Sequence, residues 1–262
     1  MVAQGLNTVV MDVGEALAFP SHPELHVKGS WSPERVLAEV RRLKSLGMEV
    51  VPKLNFSASH DTWLKEYHRM LSTRIYYQVC ADVLKDAYEA FDRPRLFHIG
   101  FDEETAGHQK QYAMSVVRHG DLWWHDFLYM EGVVKKLGAR PWVWSDRCWH
   151  HKEEFLNRMP KDVLQSNWYY GRRFLDSPNE SSRTYAQTYI DLDRAGFDQV
   201  PCGSTYESDE NFPKTVAFAR EHIAPERLKG FLMAAWCGTM TAKNEARHLK
   251  AMDVAGAARA GF

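Results

Sequence analysis

Short β-branched runs alternate along this chain with stretches whose apolar residues recur every three or four positions. Residues 6–13 (LNTVVMDV) lie between Gly5 and Gly14 and read as a buried strand ending at Asp12. A Pro-rich loop follows at residues 19–24. Ser32, Pro33 and Glu34 then give a helix start, Ser as N-cap and Pro at the first helical position. Val36, Leu37, Val40, Leu43 and Leu46 form its apolar stripe, and Gly47 ends it. Residues 48–56 (MEVVPKLNF) predict the next strand. A long helical region covers residues 62–91, with a break at Ser72 and Thr73, and a strand covers residues 96–100.

The second half repeats the scheme. A helix at residues 121–137 stops at Gly138, and a strand at 141–145 (PWVWS) ends at Asp146. A short helix at 152–159 leads to a strand at 163–168 that runs into Trp168, Tyr169 and Tyr170. A helix at 185–195, a short strand at 199–204, a helix at 212–222, a strand at 230–236 (GFLMAAW) and a helix at 244–258 complete the chain. Such alternation predicts parallel strands joined by crossover helices. Polar and aromatic residues sit at nearly every strand end: Asp12, Lys53, Asn55, Asp102, Glu103, Asp146, Trp168 and Trp236. A (β/α)₈ barrel concentrates its chemistry at the C-terminal strand ends. An open doubly wound sheet uses one switch point, and no GxGxxG follows a strand here. The fold expected is therefore α/β, a TIM (β/α)₈-type barrel with seven strand–helix units visible, residues 1–262 forming one domain. Residues 1–5 read as the tail of a helix and its glycine stop. The simplest expectation is that a first strand and most of its helix are missing. An open seven-stranded barrel is the alternative; it would leave two edge strands through which copies of the chain could associate.

Composition narrows the chemistry. The chain is 45% hydrophobic and 26% charged with a net charge of -1, which gives no basic footprint for nucleic acid or a membrane surface. No apolar run reaches membrane-spanning length. The start lacks a signal-peptide pattern, so a cytoplasmic location is expected if Met1 is the true start. Cys80, Cys148, Cys202 and Cys237 are scattered without CxxC spacing and read as free thiols. Nine tryptophans make aromatic faces available for sugar rings, beside those that simply fill the core.

The candidate chemistry centres on residues 96–104 (LFHIGFDEE), an apolar run that ends in a glycine and three acids. Neighbouring carboxylates raise one another's proton affinity, which suits a general acid. The string His98-Ile99-Gly100-Phe101-Asp102-Glu103 resembles the H-x-G-G-D-E motif of glycoside hydrolase family 20, the β-N-acetylhexosaminidases, with Phe101 in place of the second glycine. Pro52-Lys53-Leu54-Asn55 through His60 resembles that family's P-E-I-D-x-P-G-H stretch, and Asn7 with its strand resembles its second strand. Trp144-Ser145-Asp146, Trp168 and Trp236 fall where its later strands supply aromatics and acids.

The resemblance implies a retaining glycosidase in which the substrate's own 2-acetamido oxygen attacks. It implies Glu103 as general acid/base, Asp102 orienting the acetamido group, and no cofactor or metal. Asp12, Lys53, Asn55, His60, Trp144, Asp146, Trp168, Tyr169 and Trp236 are the candidate carbohydrate-binding residues. The departures are Lys53 and Asn55 where the family has acids, a loop to His60 one residue longer, and no acid after Trp236. They leave two alternatives: a degenerate carbohydrate-binding barrel, or a glycosidase of other specificity with Asp146 or Asp12 as partner carboxylate. A metal set of His60, His98, Asp102, Glu103 and Asp146 is a weaker rival. His98, inside its strand, reads as a hydrogen-bonded brace. His60 with Asp61 either orients a carboxylate or caps the next helix. His22, Glu24 and Tyr206 lie on loops that could roof a site. Glu104 carries no assignment.

Overall fold

A computed structural model describes residues 1–239 and 242–259. It divides into two compact units, one of residues 8–143 and one of residues 1–7 with 144–262.

The first unit carries β1 (Thr8–Asp12), α1 (Pro33–Ser45), β2 (Glu49–Lys53), α2 (Arg74–Ala90), β3 (Leu96–His98), α3 (Gly120–Leu137) and all of β4 (Arg140–Trp144) but its last residue, Trp144, which belongs to the second unit. Its strands pair in parallel in sequence order: Val10 opposite Val51, Lys53 opposite His98, and His98 opposite Trp142. Ser32 caps α1 through the Arg35 amide at 3.3 Å, as its sequence predicts. The expected long helical region breaks where Ser72 takes a φ of +62° and Thr73 caps α2. The part before the break, Thr62–Met70, is a 3₁₀ segment with a kink at Lys65. The buried face of α2 includes Tyr76, Val79, Cys80, Val83, Leu84 and Ala87. Each large apolar side chain so covered contributes roughly 1.5–3 kcal/mol.

The second unit carries α4 (Arg147–His150), α5 (Lys152–Arg158), β5 (Leu164–Ser166), α6 (Glu180–Arg194), β6 (Cys202–Ser204), α7 (Asn211–His222), β7 (Leu232–Ala234) and α8 (Glu245–Arg259). β6 and β7 are parallel, and bridges at Gln165–Gln199 and Trp168–Cys202 set the β5 segment beside β6. α6 starts five residues before the expected point because Asn179 caps it, accepting from the Ser182 amide at 3.2 Å. The opening residues form a 3₁₀ turn, Val2–Gln4, ended by Gly5 in the left-handed region and tied to α8 by Gln4 and Asp253.

Seven strands alternate with helices, and every pairing described above is parallel. The α/β expectation is borne out at that level. Among the described residues β1 pairs only with β2 and β7 only with β6, and all three residues of β7 are half-buried. No described helix is long and apolar enough to cross a membrane.

Candidate active site

The turn after β3 is built around one amide. Asn55 Oδ1 accepts from the Ser57 and Phe101 amides, both at 3.1 Å. With its oxygen so occupied, Nδ2 faces Asp102 and donates to Oδ1 at 2.7 Å. The Asn55 side chain also explains Gly100: a Cβ there would lie 2.1 Å from Asn55 Oδ1, and the residue has a φ of +73°. Phe101 follows at +71° and Glu103 at +54°, conformations that cost an L-residue about 1–2 kcal/mol each. Phe101 meets that cost by packing. Its ring is buried 5.4 Å from Trp123 and 5.3 Å from Phe127, with the Arg118 guanidinium 5.3 Å above it. Packing thus holds Phe101 in a left-handed conformation that glycine adopts without cost.

His60 closes the arrangement. Its Nε2 lies 3.2 Å from Glu103 Oε2 and 3.6 Å from Asp102 Oδ2. The Glu103 backbone is held by Ser59, whose hydroxyl donates to the Glu103 carbonyl at 2.7 Å. On the other side of the carboxylate, His108 Nε2 is 3.4 Å from Glu103 Oε1. The His60 hydrogen bond holds the Glu103 carboxyl below the ordinary range; burial opposes this, and the His108 and His60 charges reinforce it. For His60, burial disfavours the charged ring, but the bond to Glu103 and the Asp102 and Glu103 charges outweigh it and move its pKa up. His60 Nε2 and an oxygen from each acid lie within 4.8 Å of one another, a spacing that would also admit a divalent ion.

Glu104 acquires a role. Its side chain turns inward onto Arg118: Arg118 Nε donates to Oε1 at 2.9 Å and Nη2 to Oε2 at 2.5 Å. The Arg118 and Ala58 amides donate to the same carboxylate at 2.7 and 3.0 Å. Arg118 Nη1 reaches Asp126 at 2.9 Å and Nη2 the Phe56 carbonyl at 2.7 Å. Asp126 also accepts from Ser72 and Tyr77. Arg118 and Asp126 are fully buried, so this network is a brace beneath the turn. Arg118 was not foreseen from the sequence; residues 105–119 carry no periodic pattern.

The remaining candidates divide. Lys53, buried at the end of β2, is paired with Asp12, so its partner is the neighbouring strand's acid. His98 is buried, accepts from the Gly100 amide at 3.1 Å, and sits 5.1 Å from Trp142; it is the brace expected. Burial, with the Lys53 charge, pushes its pKa far down and keeps it neutral. Asp61 lies inside, 3.4 Å from Tyr76 Oη and 3.7 Å from His68, so of this pair it is His60 that reaches the acids. His22 and Glu24 bind each other and α2 or the 3₁₀ segment, through Asp82 and Tyr67, which makes them loop anchors.

In the second unit the aromatics form a chain. Trp168 stacks on Tyr170 at 5.2 Å and 21°, Tyr170 lies 6.3 Å from Trp236, and Trp236 lies 6.2 Å from Trp144. Trp236 is 46% exposed and has a φ of +44°, whereas Trp144 is buried. Tyr169 is turned away from this face: its ring packs in the core with Phe174 and Tyr189, and its hydroxyl donates to the Arg173 carbonyl at 2.5 Å. Tyr170, one residue on, is the one that stacks on Trp168. Asp146 is buried at the start of α4, and Tyr206 is exposed on its loop.

No family model and no curated protein matches this sequence. Solved structures do. The chitobiase of Flavobacterium johnsoniae superposes with a TM-score of 0.69 at 16% identity, over 97% of this chain and 43% of its own. A β-N-acetylhexosaminidase from Bacteroides fragilis gives 0.67 at 14% identity, over 96% and 59%. Dispersin B gives 0.58 at 14% identity, over 87% and 76%. The chain therefore spans less than two thirds of the first two proteins. A likeness at this identity is one of fold: the chain has a divergent glycoside hydrolase family 20-like fold.

Proposed function

We propose that this chain is the barrel of a retaining glycoside hydrolase acting on an N-acetylhexosamine-containing carbohydrate, and that its two units together make one catalytic domain. The observation that carries the reading is the convergence of His60, Asp102 and Glu103, with Asp102 aimed by Asn55. Glu103 is the general acid/base. It protonates the departing glycosidic oxygen and then takes a proton from the incoming water. Asp102, aimed by the Asn55 amide, orients and polarises the 2-acetamido group whose oxygen captures the anomeric carbon. The protein supplies no nucleophile of its own. The exposed Trp236 and the Trp168–Tyr170 stack offer flat faces suited to sugar rings.

The fold likeness supports this reading through proteins named as chitobiase and β-N-acetylhexosaminidase. Asp12 is already paired with Lys53, which counts against the alternative with Asp12 as partner carboxylate. A panel of 4-nitrophenyl glycosides tests the proposal. Turnover of the N-acetyl-β-hexosaminides is expected, and Glu103→Gln should lower kcat by about 10²–10⁴-fold. Equal turnover of glycosides lacking the acetamido group would sink the substrate-assisted mechanism. Sugar binding with no turnover would instead favour a degenerate binding barrel.

A further inference from the structure

Glu103 is gripped from both sides by different imidazoles, and the two grips differ. His60 Nε2 bridges both acids, at 3.2 Å from Glu103 Oε2 and 3.6 Å from Asp102 Oδ2. His108 Nε2 approaches only Glu103, on the opposite oxygen Oε1, at 3.4 Å. The His108 ring is oriented from behind. Its own backbone amide donates to Thr105 Oγ1 at 3.3 Å, and that hydroxyl lies 2.8 Å from His108 Nδ1. The hydroxyl oxygen has lone pairs for both the amide and a ring Nδ1–H, so it can hold a charged His108 ring with Nε2 turned to Glu103. The His108 side chain is 48% exposed, against 35% for His60.

We propose that His108 is a positioning residue that stores the catalytic proton of Glu103 and exchanges it with solvent. This rests on the glycosidase reading above. In the first half-reaction the His108 imidazolium gives its Nε2 proton to Glu103 Oε1, and Glu103 delivers a proton to the glycosidic oxygen. The C1–O bonding pair leaves with that oxygen while the acetamido oxygen donates a pair to C1. His108 is then neutral and Glu103 ionised. In the second half-reaction Glu103 removes a proton from water as the water oxygen attacks C1 and the acetamido oxygen is released. One proton returns to His108, so the cycle balances with one water consumed. The charged groups around the pair are His60 and Asp102, with Lys53 behind His60 neutralised by Asp12. His60 touches both acids and holds them together. His108 touches one acid and faces water, as a proton entry point must.

The test compares wild type with His108→Ala on two leaving groups of the same N-acetylhexosaminide. With an unactivated sugar leaving group, which needs protonation, kcat should fall about tenfold or more; with 2,4-dinitrophenyl, which departs unprotonated, it should change little. The alkaline limb of the pH profile should move down, and added imidazole should restore turnover. Equal losses on both leaving groups, or none on either, would overturn the proposal. A second measurement stands apart from turnover: the ¹⁵N chemical shift of the His108 ring nitrogen Nε2 in wild type and in Glu103→Gln. A shift that changes in Glu103→Gln supports the pair, and an unchanged shift refutes it. A wild type that cleaves no glycoside but shows the changed Nε2 shift would defeat the glycosidase reading while leaving the pair in place.

Discussion

The turn after β3 and the strand end after β7 both present candidate functional side chains on backbone with positive φ, yet they are held in opposite ways. Phe101 and Glu103 sit over a buried ionic brace, Arg118 with Glu104 and Asp126, and the turn is also held by hydrogen bonds from Asn55 and Ser59. Trp236 follows a strand whose residues are all half-buried, and its own ring is 46% exposed. The difference teaches how each region can fail. Chemistry at carboxylates needs atoms fixed to fractions of an ångström. Stacking on a sugar face tolerates a platform that shifts.

The largest effect should come from breaking the brace. Arg118→Ala leaves Glu104 and Asp126 buried without their cation, and unfolding experiments in denaturant should show a loss of roughly 3–5 kcal/mol. A loss under 1 kcal/mol would mean that the network does not support the turn. At the other pole, Trp236→Ala should leave stability within about 0.5 kcal/mol, as exposed positions do. Its cost should appear as weaker saccharide binding, read as a rise in KM or Kd; unchanged binding would remove Trp236 from the sugar-binding face.

The smallest effect sharpens the comparison electrostatically. The His60 pKa stands above its ordinary value of 6.5, so its partners stabilise the protein below that pH and the gain is lost as pH rises through the folded value. The Glu103 pKa stands below its ordinary 4.5, so its gain is present above that pH and fades as pH falls through the folded value. An NMR titration of the His60 ring should give a midpoint above 6.5, moving down in Glu103→Gln; a wild-type midpoint below 6.5 would contradict the pairing.

Much of this was legible in the sequence, and the rest has identifiable causes. Strand ends announce themselves where an apolar run meets a polar residue, so Asp102, Glu103, Lys53 and Asn55 could be placed at one end of their strands. His60 joined them through the motif resemblance. Glu104 stayed unassigned because its partner, Arg118, lies fourteen residues away in a segment without period. Tyr169 and Tyr170 illustrate another limit: adjacent residues beyond a strand point to different sides, and only the three-dimensional course shows which one turns inward. Residues 180–184 are too polar to display a helix period, although Asn179 and Glu180 carry the start signal. The Thr105–His108 contact is a matter of loop geometry with no counterpart in strand or helix periodicity.

Phe101 has a consequence for how the acids come into being. A glycine at that position could enter the left-handed turn before the rest of the chain had assembled. Phenylalanine is held there by Trp123 and Phe127, both on α3, and by the guanidinium above its ring. The turn is therefore cooperative with the docking of a helix whose first residue comes nineteen positions later in the chain. When α3 lifts, the reason for Phe101 to stay strained is gone, and Asp102 and Glu103 lose their alignment together. Hydrogen exchange at the Phe101 amide should then follow the opening of α3 rather than the fraying of a surface loop. In this protein the geometry of the turn is a collective property of the fold.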